Sequence, residues 1–179
     1  MDIQVFADGW VEWPGTDGTV RARCALGRGG VAPTKREGDG VTPVGCFPVR
    51  SVLYRPDRGP PPATALAVAS LTPASGWCDD PAHGDYNRAV TLPHPARCET
   101  LWRDDALYDV ILVLGYNDDP PVAGLGSAIF VHRARDAYAP TEGCVALAPP
   151  DLAAMLAALR PGDRVCVNPP QKNADGSVR

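Results

Sequence analysis

One short stretch, Ile129–Leu147 (IFVHRARDAYAPTEGCVAL), holds the two residues best suited to nucleophilic chemistry, His132 and Cys144. His132 closes the apolar run Ser127–Val131, and Cys144 follows Gly143 and opens a second short apolar run, Cys144–Ala148. Both runs read as buried strands, and the Arg-, Asp-, Tyr- and Pro-containing segment between them reads as a loop. A thiol is only slightly ionised at neutral pH; an imidazole folded back onto it raises that fraction or takes the proton during attack. The pair therefore points to Cys144 as nucleophile and His132 as general base. A small buried cysteine and a satisfied core histidine are the structural alternatives.

The elements that must position this pair are short and heavily punctuated. Trp10–Trp13 and Val20–Cys24 flank Pro14–Gly18 and predict a hairpin. Ala25–Gly30 continues into a glycine-rich bend, which lacks the following Lys-Ser/Thr or helix of a phosphate loop. Thr34–Gly40 must be an exposed loop, and Thr42-Pro43-Val44-Gly45-Cys46-Phe47 enters a strand that runs to about Tyr54. A further strand is expected at Thr64–Ser70 and a helical turn at Glu99–Asp105. Tyr108–Tyr116, with VILVLGY at its heart, is continuously apolar, as expected of a central strand covered on both faces. After Cys144 comes one helix: Pro149-Pro150-Asp151 starts it, Leu152, Met155, Leu156 and Leu159 form its apolar face, and Pro161-Gly162 stops it. Arg164–Val167 reads as a last strand.

Bulk properties agree with a mainly β, β-rich α+β protein. A chain of 179 residues with 18 Gly and 20 Pro spread along it suits one strand-and-turn domain over residues 1–170, with 171–179 expected as a disordered tail. A formal charge of −4 offers no basic footprint, which argues against nucleic acid as a partner. No apolar run reaches membrane-spanning length, and the start MDIQVFADGW shows no secretory signal pattern.

The six cysteines form no CxxC pair. Cys46 and Cys166 lie in apolar runs and read as core residues, and a chain of this size has no need of three disulfides. Cys78, His83, His94 and Cys98 are of metal-ligating types, but their spacing is not that of a standard finger or ribbon. A Cys78–Cys98 disulfide and unrelated loop residues are the other readings, and neither metal nor cofactor is expected.

The His132 and Thr141-Glu142-Gly143-Cys144 segments resemble the L,D-transpeptidase (YkuD-type) catalytic domain, whose members carry a His followed by Ser/Thr-His-Gly-Cys. The likeness is greatest to a small-domain branch with Thr-Glu-Gly-Cys-Val. A second anchor is Thr42–Phe47, which is similar to that family's Thr-Pro-x-Gly-x-Phe segment. Trp77-Cys78-Asp79-Asp80-Pro81 and Tyr86-Asn87-Arg88 also resemble pieces of the small-domain relatives. Glu142 stands where most of the family has a second His, and Ala146 where Arg is frequent.

The resemblance implies a β-sandwich of mixed sheets with one main helix after the nucleophile strand. It implies peptidoglycan cross-linking through a Cys144 thioester, with stem peptides as donor and acceptor and carbapenem-type drugs as inhibitors. Gly143 would form the oxyanion loop, and Thr141, Glu142, Arg133, Tyr86, Arg88 and Trp77 are candidate substrate contacts, with Arg135 a further carboxylate grip. Trp77 and Tyr86 read equally well as core plugs. Hydrolysis on the same scaffold and a non-catalytic wall-binding role stay open, as does whether the first or third stem residue supplies the carbonyl. A periplasmic or cell-wall location and a monomer are expected.

Overall fold

The computed structural model describes residues 1–171; the expected tail lies almost entirely outside them. In chain order the first strands are β1 (Asp2–Phe6), β2 (Trp10–Gly15), β3 (Gly18–Ala25), β4 (Val31–Ala32), β5 (Thr42–Pro43), β6 (Gly45–Tyr54) and β7 (Val68–Ser70). Then follow β8 (Ser75–Cys78), β9 (Ala89–Thr91), β10 (Cys98–Thr100), β11 (Val110–Leu114), β12 (Phe130–Arg133) and β13 (Val145–Leu147). Helix α1 (Pro149–Ala158) separates β13 from β14 (Arg164–Val167).

The predicted hairpin is β2–β3, paired from Trp10↔Arg23 to Gly15↔Gly18. From it the main sheet runs β11-β12-β13-β3-β2-β1-β14-β6, and a β6–β11 pairing closes the series, with β7 beside β6. The pairing is mixed: β1–β14, β12–β13 and β6–β7 are parallel, while β2–β3 and β6–β11 are antiparallel. A separate antiparallel sheet, β10-β8-β9, covers one face.

Period-two alternation divides the interior into two clusters. On β11, Leu112 and Leu114 face the larger cluster, which α1 covers with Leu152, Met155 and Leu156 and which Leu159, just past the helix, joins, while Ile111 and Val113 face a smaller one. The expectation of a strand covered on both faces is met. On β12, Val131 joins the larger cluster and Phe130 the smaller. His132, two residues beyond Phe130, therefore shares the face on which Cys144 lies.

Three expectations need correction. Only Val68–Ser70 of Thr64–Ser70 is strand. Glu99 lies in β10, not in a helical turn, because Cys98–Thr100 pairs with Gly76–Cys78, and such long-range pairing overrides a weak local preference. Cys46 and Cys166 are not plain core residues but a disulfide. They stand directly opposite each other in the β6–β14 register, which an apolar run in one strand does not reveal.

Candidate active site

The site is built at the ends of β12 and β13. These strands are parallel, with Val131 opposite Val145 and His132 opposite Ala146, so the connecting loop returns Cys144 to the level of Phe130. The Phe130 N–H reaches the Cys144 sulfur at 3.4 Å, and the thiol donates to the Ala128 carbonyl at 3.2 Å. The last turn before Cys144 is tied by Thr141. Its Oγ1 donates to the Cys144 carbonyl at 2.6 Å and accepts the Gly143 N–H at 3.1 Å.

Gly143 has φ +128°, and a Cβ there would stand 2.7 Å from the Val41 carbonyl oxygen and 3.2 Å from the Lys35 Nζ. Glycine is needed both for the backbone conformation and for the approach of the β4–β5 loop, which carries both atoms.

Thr42–Phe47, the second sequence anchor, supports this turn from below. Buried Thr42 accepts the Gly27 N–H on its Oγ1 at 2.8 Å, pinning the glycine-rich bend. The bend grips the nucleophile turn in turn: Thr141 N–H donates to the Leu26 carbonyl at 2.9 Å, and Arg28 N–H donates to the Thr141 carbonyl at 2.8 Å. The Arg28 side chain completes the clamp, with Nε 2.9 and 2.8 Å from the two oxygens of Glu142. Glu142 is thus an exposed, ion-paired rim residue.

His132 is 5% exposed. Its Nδ1 lies 2.8 Å from the Arg133 carbonyl oxygen. A carbonyl can only accept, so Nδ1 carries the hydrogen and Nε2 keeps a lone pair. Burial lowers the His132 pKa to about 4 and raises that of Cys144 to about 12. The resting pair is a neutral imidazole and a neutral thiol, not a preformed thiolate–imidazolium.

Both residues line a cavity of about 430 Å³ with Lys35, Glu37, Asp79, Glu99, Arg103 and Arg135 among its walls. Lys35 is almost wholly buried, and its Nζ donates to Asp39 at 3.0 Å. Glu37 accepts from Tyr86 at 2.5 Å and from Ser127 at 2.7 Å. Glu99 accepts from the Tyr108 hydroxyl at 2.7 Å, and burial pushes its carboxyl above its ordinary value despite that bond. The wall carries cations and carboxylates together.

Of the residues singled out in the sequence, Cys144, His132, Thr141, Glu142 and Arg135 line this cavity. Gly143 lies buried beneath it, holding the nucleophile turn. Tyr86 is buried, its hydroxyl engaged by Glu37 and the Gly126 N–H. Trp77 and Arg88 line a different cavity. Arg133 points away, and only its carbonyl serves the site.

Sequence reasoning missed Lys35, Arg28 and Asn87. Asn87 is fully engaged: its Nδ2 donates to the Tyr116 and Asn117 carbonyls at 2.9 and 2.8 Å. Its Oδ1 accepts the Trp77 indole N–H at 2.9 Å and the Ala128 N–H at 3.0 Å. The available signal was its place in the Tyr86-Asn87-Arg88 segment.

A buried thiol beside β13 and a neutral imidazole on the adjacent parallel strand β12 thus face one charged cleft. The sequence model of the YkuD family, the L,D-transpeptidase catalytic domain, matches residues 6–167, and the chain belongs to that family. No curated protein matches the chain. Among solved structures it is similar to an L,D-transpeptidase from Mycobacterium smegmatis, at 12% identity and TM-score 0.48 over 94% of this chain and 58% of that one. It is also similar to the helical cell shape determining protein Pgp2 from Campylobacter jejuni, at 14% identity and TM-score 0.49 over 96% of this chain and 48% of that one. The chain thus spans about half the length of the solved structures it matches. Among the described residues no helix is long and apolar enough to cross a membrane.

Proposed function

We propose that this chain is a peptidoglycan L,D-transpeptidase that works through a Cys144 thioester. The observation that carries the reading is the His132 tautomer: an unprotonated Nε2 on the wall of the cavity that holds the Cys144 thiol. As Sγ attacks a stem-peptide carbonyl, Nε2 takes the thiol proton; the tetrahedral intermediate collapses, and the departing amine takes that proton from the imidazolium. An acceptor amine then attacks the thioester, passes a proton to His132, and the thiol leaves as Cys–SH. Because the Gly143 N–H is held by Thr141, the oxyanion donor is assigned to the Cys144 N–H, which Gly143 allows to come close. Arg135 suits a substrate carboxylate, and Glu37, Asp79 and Glu99 suit the acceptor's amine.

The Cys46–Cys166 disulfide supports an oxidising compartment, in keeping with a periplasmic or cell-wall substrate and a part in wall biogenesis and cell shape. The test is to treat isolated cell walls with the protein and sequence the muropeptides released by digestion. New cross-linked dimers that vanish with Cys144→Ala support transfer. Shortened monomers alone would replace the reading with hydrolysis.

A further inference from the structure

The three-stranded sheet carries a second cluster of reactive side chains. Cys78 on β8 and Cys98 on β10 are directly opposite partners, so both thiols leave the same face of the sheet. His94, from the connection between β9 and β10, places Nδ1 3.4 Å from the Cys98 sulfur. The two sulfurs and one imidazole nitrogen all lie within 4.8 Å of one another. Tetrahedral zinc, with Zn–S of about 2.3 Å and Zn–N of about 2.0 Å, needs donors roughly 3.5–3.8 Å apart, so small side-chain adjustments close this set on an ion.

The surroundings of His94 point the same way. The Ala96 N–H donates to Nδ1 at 3.2 Å, so that nitrogen carries the lone pair, and Nε2 faces the Asp85 carboxylate at 3.2 Å. A carboxylate on the far nitrogen is the arrangement that orients metal-bound imidazoles. Asp85 also lies 3.5 Å from His83 Nδ1, and the His83 and His94 rings meet edge-on at 5.0 Å.

We propose that Cys78, Cys98 and His94 Nδ1 form a zinc site, with Asp85 behind His94 and a water in the fourth position. Two thiolates and an imidazole suit a borderline-soft divalent ion and not magnesium or calcium. Loading releases both thiol protons to solvent and displaces the Ala96 N–H from Nδ1. The spacing escapes the usual zinc patterns because strand pairing, not a knuckle turn, brings the cysteines together. Cys78 precedes Asp79 and Cys98 precedes Glu99, both on the wall of the Cys144 cavity, so the ion would clip the strand pair that presents those carboxylates.

The test uses full-length protein that keeps the Cys46–Cys166 disulfide with Cys78 and Cys98 as free thiols, carrying Cys144→Ala to remove a competing thiol, titrated with cobalt(II). One equivalent should produce a thiolate-to-cobalt charge-transfer band and the intense visible bands of a tetrahedral site, both erased by zinc. Cys98→Ser and His94→Gln should abolish the bands, and Asp85→Asn should weaken affinity about 10–100-fold. Cys24→Ser, a buried free cysteine elsewhere, should leave them unchanged. If a ligand variant fails to fold by circular dichroism, the melting temperature of the parent decides: zinc must raise it in proportion to the logarithm of free metal. Folded protein with Cys78 and Cys98 free but without the tetrahedral bands, or bands undiminished in folded Cys98→Ser, would overturn the proposal. So would a Cys78–Cys98 disulfide found by non-reducing peptide mapping of natively produced protein.

Discussion

The thiol of Cys144 donates its hydrogen to the carbonyl of Ala128, at 3.2 Å, and makes no hydrogen bond to His132 among the described residues. Ala128 is itself held by its N–H on Asn87 Oδ1 and has φ +52°. The Cys144 thiol therefore rests on the carbonyl of a residue whose own N–H is held by Asn87.

Asn87→Ala should consequently slow acylation without touching the reacting atoms. It leaves the Trp77 indole, the Ala128 N–H and two carbonyls without their partner, and because these groups are half-buried each loss costs about 1 kcal/mol. A drop in melting temperature together with an at least tenfold slower carbapenem adduct, followed by intact-protein mass, is the expected result. An unchanged acylation rate would show that the Ala128 carbonyl needs no such support.

The pH profile should be displaced toward acid. Burial depresses the His132 pKa to about 4, so the imidazole is an active base above that pH and is lost only as pH falls through it. The acid limb of kcat/KM should therefore fall near pH 4, not at the usual value of about 6.5. Alkylation of Cys144 by iodoacetamide, followed by peptide mapping, should keep rising through pH 10 without a plateau near 8.5, because burial holds the thiol pKa near 12.

The same depression makes a stability prediction. Between about pH 4 and 6.5 the unfolded chain binds a proton at residue 132 that the folded chain does not, so stability rises with pH across that window. The contribution lost on acidification is about 3 kcal/mol. Urea melts of His132→Gln should show a shallower fall over this window than the parent.

Gly143→Ala should cost more than a methyl group suggests. The new Cβ must adopt φ +128° and meet the Val41 carbonyl oxygen at 2.7 Å, so about 1–3 kcal/mol of stability should go with the backbone strain alone. Cross-linking should be lost through displacement of the Thr141–Cys144 turn, while far-UV circular dichroism stays that of a folded β protein.

Glu142→Gln should be mild by contrast. Its side chain is 74% exposed and its partner Arg28 58%, and an exposed pair contributes less than about 1 kcal/mol. Thermal melts should move by little, and the small difference from the parent should shrink as salt is raised.

The sequence by itself determined the strand alternation, the helix after Cys144, and His132 and Cys144 as a candidate pair. These are legible because alternation, helix stops and a Gly-Cys step are local properties of the chain. Only the tertiary structure decided what surrounds them. Lys35 sits in a polar loop that reads as exposed, yet it is buried because that loop folds against Gly143 and Gly126, which belong to other segments. Cys46 and Cys166, 120 positions apart, are joined only through the β6–β14 register. Cys78, His94 and Cys98 meet for the same reason. Strand register is a collective outcome of pairing across the whole sheet, so it assigns neighbours that no spacing along the chain encodes.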